Sequence, residues 1–241
     1  MDDVRLPGGE LVYAIGDIHG RADLLSLLLA DIAADAEASQ DVTERTLIFV
    51  GDYVDRGPDS RQVVEMLITS LPQGFDVHFL KGNHEAILLD FLEDASWLDH
   101  WRANGADATL LSYGVDVERL VRTRAPSEEW RRAFAAALPE THRRFYQGLE
   151  LKVSRGDYLF AHAGVRPGVP LDAQEPHDLI WIRGAFLESE EPFGKVVVHG
   201  HTPAVEPQLR ANRIGIDTGA CFTGRLTALK LQDRNKSFLQ T

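Results

Sequence analysis

Short apolar runs alternate with longer amphipathic stretches through the first third of the chain, and each run stops at polar residues beside a glycine. Leu11–Ile15 ends in Gly16-Asp17-Ile18-His19-Gly20, and Leu47–Val50 ends in Gly51, with Asp52, Asp55 and Arg56 close behind. Val77–Leu80 ends in Lys81-Gly82-Asn83-His84-Glu85. Such runs predict short buried strands. Between them, Asp23–Ala36, Arg61–Ser70 and Ala86–Leu92 carry the apolar content of helices that cover a sheet face. Residues 37–46 are polar and read as a loop, and Leu71-Pro72-Gln73-Gly74 breaks the second helix. This alternation predicts an α/β layered fold that binds its ligands at the carboxyl ends of the strands.

Residues 93–148 depart from the pattern. They hold Trp97, Trp101 and Trp130, and Ser127–Ala137 and Thr141–Gly148 predict helices, so the stretch reads as a helical insertion (about 93–150) beside the site, a lid in one reading. Its aromatics are expected in the core. The second half is strand-rich. Tyr158–Ala161 leads into His162-Ala163-Gly164, Lys195–Val198 into His199-Gly200-His201-Thr202-Pro203, and Arg213–Ile216 into Asp217-Thr218-Gly219. Arg225–Leu231 predicts a closing strand, and the last eight or so residues are polar and expected to fray.

At 241 residues the chain suits one domain spanning 1–241, large enough for a substantial core. No apolar run reaches the length of a membrane span. The acidic N-terminus, M-D-D-V-R-L-P-G-G-E, lacks the apolar region of a secretory signal. A single cysteine, Cys221, excludes an intrachain disulfide and fits a reducing cytoplasm; its apolar and glycine surroundings predict an inert thiol. The net charge of −12 argues against nucleic acid as the main partner, yet leaves room for an anionic substrate if the acidic groups bind metal. A monomer is expected.

The strand ends therefore deliver Asp17 and His19, then Asp52, then Asn83 and His84, then His162, then His201. Carboxylate, imidazole and amide oxygen together suit manganese, iron, cobalt or zinc, and calcium would prefer oxygen donors alone. One histidine at a strand end is more often a structural group. The ordered series is hard to explain in that way.

The series G-D-I-H-G, G-D-Y-V-D-R-G, G-N-H-E, H-A-G and G-H-T-P resembles the calcineurin-like metallophosphoesterases, and within them the serine/threonine phosphoprotein phosphatases of bacteria and phage. The resemblance runs from about residue 12 to 231. It implies a four-layer α/β (α+β) fold, a central β-sandwich flanked by helices, with two divalent metal ions, manganese foremost and iron or zinc as alternatives, at the sandwich edge. Asp17 and His19 would hold one metal, Asn83, His162 and His201 the other, and Asp52 would bridge them. Pro203 stands where other branches place a further histidine ligand, which leaves the first metal fewer protein ligands. His199 is assigned to structural support. The resemblance further implies direct attack by a metal-bridging hydroxide. His84 would act as general acid, oriented by Asp55. Arg56 would bind phosphate oxygens, Arg183 would be a second phosphate-binding arginine, and Arg166 stands between substrate contact and packing.

The function implied is a phosphomonoester hydrolase acting on phosphoserine or phosphothreonine proteins. Against it stands a symmetrical diadenosine-tetraphosphate hydrolase, which I-D-T-G-A-C-F-T-G-R-L-T-A-L resembles and for which the tryptophans of the insertion could stack a base. A non-catalytic binding module would require a lost ligand or a broken His84–Asp55 pair, and neither is missing.

Overall fold

The computed structural model describes residues 4–241, so the first three residues of the acidic N-terminus lie outside the described residues. The chain opens with β1 (Glu10–Ile15), α1 (Ala22–Ala38), β2 (Glu44–Phe49), α2 (Ser60–Thr69), β3 (Asp76–Phe79) and α3 (Asn83–Glu93). A single tight turn at Ala95–Trp97 leads into α4 (Leu98–Ala103), α5 (Ala106–Ser112), α6 (Val117–Arg122), α7 (Ser127–Ala137) and α8 (Glu140–Gln147). The remainder comprises β4 (Lys152–Arg155), β5 (Tyr158–Ala161), α9 (Pro176–Trp181), α10 (Gly184–Leu187), β6 (Val196–His199), β7 (Gln208–Leu209), β8 (Arg213–Gly215), α11 (Ala220–Thr223), β9 (Thr227–Gln232) and β10 (Asn235–Gln240).

Two sheets result, with strand orders β10-β9-β1-β2-β3 and β4-β5-β6-β8-β7. At the heart of each is a parallel trio, β1-β2-β3 in one and β5-β6-β8 in the other. Parallel strands covered on both faces are apolar on both faces, and β1 shows why. Val12 and Ala14 point into the layer between the sheets, where they meet Ile48, Phe160, Val198 and Ile214. Leu11, Tyr13 and Ile15 point the other way, into the cluster that α1, α2 and α3 share with the helices of residues 98–147. On the outer face of the second sheet, Leu159, Ala161 and Val197 pack with Leu179 and Ile180 of α9 and Phe186 of α10. Helices, sheet, sheet and helices thus form four layers, the arrangement that the family resemblance implies. No described helix is long and apolar enough to cross a membrane.

The structure departs from the sequence pattern at element ends and in one tail. Residues 44–46 extend β2 rather than the loop, and Lys152–Arg155 adds β4. The run Leu179–Trp181, apolar enough to be read as a strand before Arg183, is the end of α9, with Pro176 at its first turn. The tail expected to fray instead forms β10, paired along its length with β9. Its exposed side chains are those of a sheet edge, where the backbone is held by the ladder and the side chains face water.

Candidate active site

The parallel trios end at one edge of the sandwich, and the loops that follow them interlock. Ile18 and His19 donate their N–H groups to the Asp52 carbonyl at 3.1 and 2.9 Å. Across the sheets, His201 N–H donates to the Asp17 carboxylate at 2.9 Å. Turning polar side chains inward from these loops requires backbone shapes that ordinary residues avoid: His19, Asp52, Asp55, Arg56 and His201 all have φ between 45° and 71°. Such conformations cost of order 1–3 kcal/mol each and persist where surrounding contacts enforce them. The neighbouring glycines are there for clearance. A Cβ on Gly200 would lie 1.9 Å from Asp17 Oδ1, and one on Gly82 would lie 2.1 Å from Asp52 Oδ1.

The donor atoms themselves fit cations. His19 Nδ1 lies 2.8 Å from the Val54 carbonyl and His162 Nδ1 2.9 Å from the Val50 carbonyl, so each needs its proton there and turns an Nε2 lone pair into the site. His162 Nε2 then sits 3.1 Å from Asn83 Oδ1, 3.2 Å from His201 Nδ1 and 3.4 Å from Asp52 Oδ1. Lone pairs crowd together here with too few protons between them. Asp17 Oδ1 and His201 Nε2 are buried without a hydrogen-bond partner among the described residues. Burial and the neighbouring Asp217 and Asp52 carboxylates push Asp17 well above the usual carboxylate range. Burial lowers His19 to about 3 and His201 to about 2, so both rings are neutral and available as ligands at neutral pH. Burial alone would raise Asp52, but the charge of the adjoining imidazoles, His162 and His84 foremost, outweighs it and holds Asp52 low.

These atoms form two groups that share Asp52, namely His19, Asp52 and His84, and Asp52, His162 and His201, each with donor atoms within 4.8 Å of one another. Asn83 joins the second group through its contacts with both imidazoles. Asp17 joins the edge through His201, so all six residues expected to hold metal come together. The first group also includes His84, which the sequence reading assigned to acid catalysis.

His84 is fully buried, and its Nδ1 lies 2.7 Å from Asp55 Oδ2. Burial would lower its pKa, but the carboxylates of Asp52 and Asp55 prevail and hold it above the ordinary histidine value. Arg56 spans two members of the first group, its Nη1 2.7 Å from His19 Nε2 and its Nη2 2.9 Å from His84 Nε2. Arg183 is exposed at the end of α9, donates to Thr202 Oγ1 at 3.3 Å, and lies near enough to His162 and His201 to disfavour their charged forms. Arg166 makes a bidentate pair with Asp178 of α9, both contacts 2.6 Å. His199 is buried with its Nδ1 on the Gly200 carbonyl, 3.0 Å away. Cys221 is half-buried on α11, where burial raises its thiol.

Sequence reasoning missed several supports. Glu85 accepts the backbone N–H groups of Gly82 and Asp52, both at 3.0 Å, and of Tyr53 at 2.8 Å, tying the loop after β2 to the start of α3. Its place beside Asn83 and His84 was the available signal. Asp217, buried after β8 beside Asp17, had the same strand-end signal as the other carboxylates. Trp101 and Thr109, both bonded to Asp55, carry no sequence signal for that contact, because their partner stands 46 and 54 residues away.

The sequence signature of the calcineurin-like phosphoesterases matches residues 11–235. The chain belongs to the calcineurin-like phosphoesterase family. This phosphoesterase is 26% identical over 236 residues to a bis(5'-nucleosyl)-tetraphosphatase PrpE [asymmetrical] of Oceanobacillus iheyensis, covering 91% of this chain and 88% of the relative. It is 30% identical over 226 residues to serine/threonine-protein phosphatase 1 of Salmonella typhimurium, covering 92% of each. Its fold is shared with a mutant cold-active protein tyrosine phosphatase, with TM-score 0.59 at 20% identity, over 100% of this chain and 83% of the other. The family's dependence on divalent metal ions agrees with the His/Asp cluster at the sandwich edge.

Proposed function

We propose that this phosphoesterase hydrolyses phosphomonoesters with two divalent ions, manganese foremost, and that its substrates are phosphoserine and phosphothreonine side chains of cytoplasmic proteins. Asp17, His19 and Asp52 would hold one ion, and Asp52, Asn83, His162 and His201 the other. Two such ions supply an activated water and neutralise charge on the transferred phosphoryl group. The protein's own groups do the rest. Arg56 and Arg183 hold the phosphate oxygens, a task for planar guanidinium donors. Arg166, clamped to Asp178, orients the loop after β5 against α9.

One observation carries this reading, the His84–Asp55 pair. With Nδ1–H committed to Asp55 and Arg56 turned from His84 Nε2 onto the phosphate oxygens, the protonated His84 ring offers Nε2–H to the departing oxygen: water adds to phosphorus, the ester P–O bond breaks, and the alkoxide takes that proton. An alkoxide is a poor leaving group that needs such a donor, whereas a nucleoside phosphate released from a polyphosphate chain leaves readily without one.

A second reading, a dinucleoside polyphosphate hydrolase, rests on a row of rings beside the site. Trp181 lies 6.1 Å from His201, His100 lies 6.3 Å from Trp181, and Trp97 lies 5.5 Å from His100, the last two rings reaching the surface. Such faces can stack nucleobases. Parallel assays of a phosphothreonine peptide, a phosphotyrosine peptide and diadenosine tetraphosphate with manganese separate the readings. Phosphothreonine is expected to turn over fastest, and His84→Asn is expected to lose about 10²-fold or more on it while keeping its metal. Faster turnover of the dinucleotide gives the second reading, and unchanged phosphothreonine turnover in His84→Asn rejects the general acid.

A further inference from the structure

The Asp55 carboxylate has room for about four hydrogen bonds and receives three donors. Only one of them is His84. Trp101 Nε1 donates to it at 3.0 Å to Oδ2 and 3.2 Å to Oδ1, and Thr109 Oγ1 donates to Oδ1 at 2.6 Å. Asp55, His84, Trp101 and Thr109 are all fully buried, so no water competes for these bonds. Thr109 also serves the Asp55 backbone. With φ at 71°, Asp55 points its N–H at Thr109 Oγ1, 2.9 Å away, and at Ser60 Oγ, 3.1 Å away. Midway between the two donors, the Gly105 carbonyl accepts the Arg56 N–H at 3.2 Å. A side chain on Gly105 would come within 2.9 Å of the Arg56 backbone nitrogen and Cγ.

Trp101, Gly105 and Thr109 stand four residues apart on α4, the turn after it, and α5. Together they form a socket into which the Asp55-Arg56 corner of the β2 loop fits. We propose that this α4–α5 hairpin is a positioning element for the reaction: Trp101 and Thr109 fix the rotation of the Asp55 carboxylate, and through it the orientation and tautomer of His84, while Gly105 seats Arg56. Trp101 and Thr109 touch no substrate and act only through Asp55. The helical segment therefore serves the site from behind, in addition to any role as a cover. The proposal rests on the reading of His84 as general acid.

A carboxylate held by three donors has one orientation in which Oδ2 faces His84 Nδ1. With Thr109 Oγ1 removed, Oδ1 loses its shortest bond and the carboxylate is free to turn toward Trp101. His84 then spends less time with Nε2–H aimed at the leaving oxygen, and the defect should grow as the leaving group becomes more basic. That dependence separates positioning from general damage, which slows all substrates alike.

The test is turnover of a series of substituted phenyl phosphates, with leaving groups from strongly acidic to weakly acidic phenols, by the manganese-loaded wild type, His84→Asn, Thr109→Val, Thr109→Ser and Trp101→Phe. Bound metal is measured for each, and so is the thermal midpoint. Thr109→Val conserves volume and removes the hydroxyl; Trp101→Phe keeps a ring against Phe91 and Phe134 and removes the N–H. The expected result is full metal in every variant, loss of about tenfold to a hundredfold on the most basic leaving group in Thr109→Val and Trp101→Phe, and less than about threefold on the most acidic. Thr109→Ser should restore the wild-type slope. If His84→Asn steepens the dependence and both socket variants leave it at the wild-type slope, the positioning role is overturned and the general acid stands. If His84→Asn itself leaves the slope unchanged, or the wild type turns over none of the series, the general-acid reading falls and takes this proposal with it. Should Thr109→Val fail to fold, Trp101→Phe and Thr109→Ser decide the matter by the same slopes.

Discussion

The strand-end loops and the helical segment of residues 95–147 flank the same dyad and are built in opposite ways. The loops put ligands where the backbone is strained, with left-handed conformations at His19, Asp52, Asp55, Arg56 and His201. The helical segment is ordinary packing: Trp101 sits 5.0 Å from Phe91 and 5.2 Å from Phe134, and Tyr113 meets Phe134 edge-on at 5.5 Å. Its polar groups are spent on holding. Tyr113 Oη bonds both His142 Nδ1 at 2.8 Å and Tyr146 Oη at 2.9 Å, and His142 Nε2 reaches the exposed Glu65 of α2 at 3.0 Å, so a chain of bonds running from the core to the surface staples α8 to α2. The lesson is a division of labour. Most of the site's groups sit on strand-end loops whose strain is enforced from outside, with Asn83 and His84 at the start of α3, and part of the enforcement comes from a region with no catalytic signature.

The largest expected effect breaks the loops. Asp52 is the member shared by both donor groups, so Asp52→Ala should abolish metal binding at one or both positions. Turnover is expected to fall at least about a thousandfold, the scale of losing one preorganised electrostatic contact in full. Titration of the variant with manganese, read by calorimetry, checks the binding, and the fold should survive. Metal stoichiometry equal to wild type would remove Asp52 from its bridging role.

Next comes clearance. Gly200→Ala places a methyl group 1.9 Å from Asp17 Oδ1, a distance no real contact shows, so either Asp17 or the His201 loop must move. The expected loss is about a hundredfold in turnover with weakened metal affinity, since an ångström-scale misplacement of such groups costs that much. Manganese-dependent turnover across a metal titration checks it, and unchanged apparent affinity would show that the edge relaxes without cost.

The helical segment should answer differently. Tyr113→Phe removes the hydroxyl that bridges His142 and Tyr146 and leaves both partners buried. A loss of about 2 kcal/mol in stability is expected, from the unmet hydrogen bonds, with turnover per folded molecule within about twofold of wild type. Urea midpoints and manganese-dependent rates on the same preparation check both halves. A drop in rate larger than the drop in stability would mean that the staple, like the socket around Asp55, reaches the chemistry.

How much of this was legible follows from the same division. An apolar run that stops at a glycine and a carboxylate marks a strand end, so Asp17, Asp52, Asn83, His162 and His201 could be read in order along the chain. The strand β10 was hidden because its side chains are those of an edge: only the pairing of Asn235–Gln240 with Thr227–Gln232 makes it a strand. The helices α4, α5 and α6 were hidden by shortness, with six or seven residues giving too few turns for a period to emerge. The contacts of Trp101 and Thr109 with Asp55 span 46 and 54 residues, and no local pattern encodes a partner that far away.

The smallest expected effect concerns acid sensitivity, which the comparison assigns to the strand-end region. His199 lies buried beneath the His201 loop, and burial lowers its pKa from the ordinary 6.5 to about 4. In the unfolded chain it titrates near 6.5. Between those values the unfolded state holds the proton and the folded state does not, so ν is larger for the unfolded chain and stability falls as pH is lowered from 6.5 toward 4. At pH 5 the His199 contribution to that loss is about 2 kcal/mol at most. The buried His19 and His201 add losses of the same sign in the metal-free protein, and the contribution of His199 is therefore isolated by difference. Urea midpoints of the metal-free wild type and His199→Asn, measured at pH 7.5 and 5, should show a smaller acid loss in the variant. Equal losses would mean that His199 takes up its proton in the folded state without penalty, through its unpaired Nε2, and that the region beneath the His201 loop is open enough to solvate it.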